Sequence, residues 1–248
     1  MRTGWARGLF RQSAGRLLPA REAYALWADT YPARAHNLVM EAEQAIVAPI
    51  ISSMSPVRAL DVGTGSGRYL PMLASTGARL VVGVDLSLPM LRRQTEGVPR
   101  VCGDACRLPF RDASFDLVSS SLLVGDIADL AGWIDELARV LAPGGHLIYS
   151  DFHPSWATDR WRRTFRTADG RSFEVVYFPH TIAEHLTLLD GRAFEIRAIR
   201  EPRLAAPDAA RWLRRSPPRH APVVVVFHAV KSGCWYTGGR RRRAAAGA

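Results

Sequence analysis

The sequence predicts a doubly wound α/β fold, and three observations predict it. A short apolar run bearing Asp61 breaks into three alternate glycines, Gly63, Gly65 and Gly67. A second apolar run over 79–85 ends on Asp85, 24 residues after Asp61. Between and after them, apolar residues recur at helical spacing over 68–74 and 129–141, so strands and helices alternate along the chain.

The glycines have a physical task. A side chain at Gly63, Gly65 or Gly67 would hold the backbone away from a ligand lying across the turn, so the pattern lets a ligand touch main chain. A P-loop would end in Gly-Lys-Ser/Thr, and no lysine stands near. A dinucleotide turn has its last two glycines three residues apart, whereas here the spacing is two and two. Asp85 ends a buried strand, where a carboxylate is costly without partners and a ribose diol offers it two donors. A second reading of Asp85 is as the cap of a helix over 87–93.

With 248 residues and 48% hydrophobic content, the chain can bury one large core with decorated ends. No apolar run approaches the ~20 residues that span a bilayer. The formal charge of +10 sits mostly at the ends: 1–21 holds five arginines and no acid, and Arg240 to Arg243 add four. Between them, 22–155 has ten arginines against fifteen acids, and 156–219 has thirteen against eight. Cys102, Cys106 and Cys234 are too few for a disulfide framework, and Cys102-x-x-x-Cys106 lacks a second pair for zinc. The expectation is reduced thiols, a cytoplasmic location and no metal.

An acid followed by Gly-x-Gly-x-Gly, Asp61 to Gly67, resembles the first motif of the class I S-adenosylmethionine (SAM)-dependent methyltransferases. The type is that of bacterial quinone, biotin and secondary-metabolite pathways, and the resemblance runs from Arg58 to Pro154. Leu108-Pro109-Phe110 followed by Ser114 to Val118, and Pro143-Gly144-Gly145 before a strand over 147–150, match further motifs in order. The resemblance implies a Rossmann-like seven-stranded sheet of order 3-2-1-4-5-7-6, with 223–227 as the inserted antiparallel strand. Composition and the resemblance together divide the chain into a basic, disordered or transit-like arm (1–21), an N-terminal helical cap (22–56) and a SAM-binding core (57–151). An acceptor-binding segment with the last strands (152–237) and a disordered basic tail (238–248) complete it. In the later part, 180–189 reads as a helix, 193–199 as an edge strand and 205–222 as a loop or lid.

The resemblance also names the cofactor residues: Asp61, Gly63, Thr64, Gly65, Gly67, Asp85, Leu86, Met90 and Ser121. Asp104 is implied as acceptor from the adenine amino group, with Ala105 as the small neighbour against the ring. Tyr24 and Tyr31 belong to a segment that closes over the cofactor in this family, or else pack on the sheet. Related sequences often carry a histidine near Gly125-Asp126, so that candidate base is absent, and Asp126 replaces it or does nothing. His153 is the other candidate base, because ligands bind at the carboxyl ends of parallel strands. His36, His180, Arg162 and Arg163 are candidate acceptor contacts, with packing and solvated surface as the alternative.

The expected function is methyl transfer from SAM to a small-molecule or carrier-bound acceptor, by a monomer or homodimer. Two alternatives stand beside it. One is an RNA-directed enzyme or nucleic-acid-binding protein using the arginine-rich ends; the other is a SAM-binding protein without transfer activity.

Overall fold

The computed structural model describes residues 15–93, 97–159, 162–204 and 222–233. The expected lid over 205–222 falls almost wholly outside these residues, as do the tail from 238 and the arm up to residue 14.

The chain opens with β1 (Arg16–Leu18), α1 (Ala20–Trp27) and α2 (Leu38–Ser52). Then come β2 (Arg58–Val62), α3 (Leu70–Ser75), β3 (Leu80–Asp85), α4 (Leu88–Leu91), β4 (Arg100–Cys102) and β5 (Phe115–Ser121). The second half holds α5 (Leu130–Val140), β6 (Leu141–Phe152), β7 (Thr164–Arg166), β8 (Ser172–Val175), α6 (Ile182–Asp190), β9 (Phe194–Arg200) and β10 (Val224–Lys231).

Seven of these strands form one sheet in the order β4-β3-β2-β5-β6-β10-β9. The pairs from β4 to β6 are parallel, while β10 runs antiparallel to both β6 and β9. The unbroken apolar run in β10 follows from cover on both faces: Val225, Phe227 and Ala229 pack in one core with Trp133, Ile134 and Leu137 of α5. Val224 and Val226 pack in a second core with Val39, Val47 and Ile51 of α2. Side chains alternate between the two faces with the period of the pleat. No helix among the described residues is long and apolar enough to cross a membrane.

Three features differ from the sequence reading. Pro143-Gly144-Gly145 does not precede the strand but lies within β6. There the pairing with β5 jumps from Phe115↔Leu141 to Leu117↔His146, and Gly144 takes φ 77°. The helix expected over 87–93 shrinks to the single turn of α4, which begins after Ser87. The third difference is a second sheet of three strands, β1-β8-β7, which gives order to residues 16–18 of the supposed arm. Its core joins Leu18, Trp27, Phe165, Phe173 and Val175, with Trp27 stacked on Phe165 at 4.8 Å. The cap is thus built from the N-terminal segment together with residues 164–175.

Candidate functional site

The glycine turn leaves β2 and is tied down by β3. The backbone N–H groups of Gly63 and Thr64 both donate to the Val84 carbonyl, at 2.8 and 3.0 Å. Gly65 has φ 55°, in the left-handed region that side-chain-bearing residues avoid. Its N–H donates to Asp85 Oδ2 at 2.8 Å, while Asp85 Oδ1 accepts from Ser87 N–H at 2.8 Å. The carboxylate therefore braces the turn before α4 and also lines a cavity. Burial pushes its pKa up, and the N–H groups of Ser87 and Gly65 pull it back.

That cavity lies at the carboxyl ends of β2, β3 and β5 and is roofed by α1 and the segment after it. Tyr24, Tyr31, Asp61, Gly63, Thr64, Gly65, Asp85, Leu86, Met90, Asp104, Ala105, Ser121 and Asp126 all line it. Gly67 does not. Its N–H closes the turn onto the Thr64 carbonyl at 2.8 Å with φ 86°, so it shapes the loop rather than facing a ligand.

Asp61 is 3% exposed and accepts from Ser119 Oγ at 2.7 Å. Burial lifts its pKa to about 6 against the pull of the Ser119 and Thr64 hydroxyls. Asp104 Oδ1 accepts from Cys106 N–H at 2.9 Å. Its loop is held by Arg139 of α5, which donates to the carbonyls of Leu108 and Phe110 at 2.9 and 2.7 Å.

At the β5 end, Tyr24 donates its hydroxyl to Asp126 Oδ2 at 3.1 Å. Arg163, only 3% exposed, pairs with the same carboxylate. Burial raises the Asp126 pKa and Arg163 opposes the rise; burial also pushes the Tyr24 phenol well above its ordinary range. Arg163 is thus a structural counter-ion and not one of the residues lining the cavity, which corrects its expected role as an acceptor contact.

The other expected acceptor and base residues also lie off the cavity. The His153 ring is held by Ser155 Oγ at 2.7 Å and Glu201 Oε1 at 2.8 Å, so the candidate base is occupied elsewhere. Arg162 pairs with Glu174 at 3.1 Å. His180 meets the Ile127 carbonyl at 2.7 Å, and His36 packs edge-on against Tyr31.

Several lining residues escape the sequence reading: Met40, Ser66, Arg68, Tyr69, Leu122, Leu123 and Ile127. Arg68 carried a usable signal, being the only cation between Arg58 and Arg79. Its partner Glu43 carried one too. It is fully buried on the Val39, Glu43, Val47, Ile51 stripe, where a charge at i+4 spacing among apolar residues calls for a buried partner.

A doubly wound sheet with an inserted antiparallel strand, and a glycine cradle followed by Asp85 and Asp104, are the arrangement that the resemblance to class I SAM-dependent methyltransferases implies. Residues 60–149 match the methyltransferase domain family. The demethylmenaquinone methyltransferase of Deinococcus radiodurans is 34% identical over 165 residues, covering 63% of this chain and 64% of that protein's length. A putative SAM-dependent methyltransferase from Listeria monocytogenes superposes with TM-score 0.61 at 21% identity, over 77% of this chain and 99% of that one. A DhpI–SAH complex superposes with TM-score 0.59 at 18% identity, over 86% and 95%. The chain is thus similar to a methyltransferase domain over residues 60–149, and its fold is similar to that of solved SAM-dependent methyltransferases.

The site suits that family's cofactor. An added Cβ on Gly65 would stand 3.3 Å from Met90 Cε, so the methionine would have to shift, and φ 55° strains any side-chain-bearing residue there. Asp85 and Asp104 both line the cavity, as a diol and an exocyclic amine require.

Proposed function

We propose that the protein transfers a methyl group from SAM to a small, uncharged acceptor whose nucleophilic centre gives up a proton. The observation that carries this reading is the shared cavity, in which the glycine turn, Asp85 and Asp104 continue without a break to Tyr24 and Asp126. Gly63 to Gly65, Asp85, Asp104 and Ala105 would hold the cofactor, with Tyr31 and Met90 beside it. When bound, SAM supplies an electrophilic methyl on a sulfonium that is already a good leaving group.

The chain's task is then chiefly to position. Holding acceptor and methyl in line can contribute on the order of 7–11 kcal/mol, with proton handling a smaller term. Leu122, Leu123 and Ile127 supply an apolar wall that keeps water away. Because Tyr24 spends its proton on Asp126, its oxygen is left with lone pairs to accept from an acceptor O–H. Asp126, fixed by Arg163, is the group behind it onto which that proton can move.

Two arginines of the later basic segment support a neutral acceptor. Arg163 neutralises Asp126 and Arg162 pairs with Glu174, which argues against an arginine clamp for an acid or an acidic carrier. The demethylmenaquinone in the D. radiodurans relative's name is an acceptor of this uncharged class.

The test is calorimetry with S-adenosylhomocysteine (SAH), followed by turnover on a panel of neutral hydroxylated and acidic acceptors. Tyr24→Phe should cut kcat by about tenfold or more while SAH affinity stays within about twofold. Turnover confined to acidic acceptors would sink the acceptor class, and failure to bind SAH would sink the whole reading.

A further inference from the structure

The cofactor has two unlike polar ends, a nucleoside and a zwitterionic amino acid, and Asp85 and Asp104 account only for the first. We propose that Arg68 holds the α-carboxylate of the second; this rests on the cofactor reading above. Four carboxylates line the cavity among the described residues, Asp61, Asp85, Asp104 and Asp126, and an anion placed among them needs a cation of its own. Two guanidinium groups are available there, those of Arg21 and Arg68. Arg21 is an exposed residue in the first turn of α1.

Arg68 is the one the fold prepares. Its side chain is 10% exposed and pairs through Nη1 with Glu43 Oε2 at 2.8 Å. The same nitrogen reaches the Tyr69 hydroxyl at 3.3 Å, and the guanidinium carbon stands 4.4 Å from the Tyr69 ring centroid. Glu43 is itself fixed, accepting from Tyr69 Oη at 2.7 Å and Ser150 Oγ at 2.8 Å. The arginine is therefore held at one nitrogen and one face.

Among the described residues, all of its hydrogen bonds use Nη1, and the Nε and Nη2 donors make none. A guanidinium bonds a carboxylate most strongly through two parallel N–H groups, and the Nε–Nη2 edge offers such a pair. Donors this poorly exposed are costly to leave unmade, so a ligand that satisfies both is strongly favoured. The competing account gives Arg68 one role, to neutralise buried Glu43.

Two ligands separate the accounts: SAH, and 5′-methylthioadenosine, which keeps the nucleoside thioether and lacks the amino-acid end. Arg68→Gln should weaken SAH by about tenfold or more and change methylthioadenosine by less than about twofold, a contrast set by loss of a charge-assisted pair. Arg68→Lys keeps a charge against Glu43 but loses the fork, so it should fold normally and still bind SAH several-fold more weakly. If Arg68→Gln proves unstable, the E43Q/R68Q pair removes both buried charges together and should show the same contrast. Equal losses for both ligands, or unchanged SAH affinity in folded variants, would overturn the proposal. A wild-type chain that binds methylthioadenosine as tightly as SAH would overturn it as well, with the cofactor reading intact. If the wild type binds neither ligand, the cofactor reading itself falls.

Discussion

Gly65 and Asp85 act as one device: the glycine's left-handed backbone turns its N–H onto the carboxylate that faces the cavity. A valine at 65 would be strained at φ 55° and would crowd Met90 from 3.3 Å. Gly65→Val and Asp85→Asn should each weaken SAH binding by about tenfold or more while far-UV circular dichroism stays native, calorimetry being the measurement. Asp151 gives a pH prediction. It is 3% exposed, its Oδ1 finds no partner among the described residues, and burial carries its pKa from 3.8 to about 7 against the pull of Arg163. The fold thus prefers the protonated acid. Below the unfolded pKa this costs nothing; between 3.8 and about 7 the unfolded chain ionises first and stability falls, by up to about 4 kcal/mol. Asp151→Asn should therefore melt above the wild type at about pH 8, with the gap closing toward about pH 4. A gap that widens on acidification would show the sign to be wrong.

At the scale of elements, the Asp126–Arg163 pair joins the loop after β5 to the small sheet, because Arg163 immediately precedes β7. Removing one partner leaves a buried charge unpaired, so Arg163→Ala should cost about 3–5 kcal/mol. Arg162 is about half exposed on Glu174, and Arg162→Ala should cost about 1 kcal/mol or less. Urea titrations of the two variants give the comparison, and equal losses would contradict the burial argument. The same elements show what is legible in a sequence. β2, β3 and β10 can be read because burial on both faces leaves an unbroken apolar run, and the Gly63 to Asp85 stretch because its chemistry is local. The small sheet cannot be read that way. β1, β7 and β8 are three or four residues each, carry polar residues such as Arg16, Thr164 and Glu174, and pair Arg16 with Phe173 across most of the chain. Arg163 fails for the same reason: its number tells of a basic stretch, and only the fold brings Asp126 to it.

At the scale of the whole molecule, the charge divides in a way the total conceals. Twelve of the 33 basic residues and two of the 23 acidic ones lie outside the described residues, so the described body carries equal numbers of each. The full surplus of +10 therefore belongs to the remaining segments, chiefly the two ends and 205–221. A neutral body gives long-range fields little to steer with, and Asp61 and Arg68 of the cavity are buried or nearly so, where salt screens them weakly. Clustered arginines outside that body are the part that would bind polyanions, through counterion release and with steep salt dependence. The two behaviours should separate in one titration. Between about 0.05 and 0.5 M salt, where the Debye length shrinks from roughly 14 to 4 Å, SAH affinity should change by less than about threefold. Over the same range, retention of a single-stranded RNA in a filter-binding assay should disappear. If SAH affinity falls in parallel with RNA binding, the arginine-rich segments reach the cofactor site, and the nucleic-acid-directed reading displaces that of a neutral small acceptor.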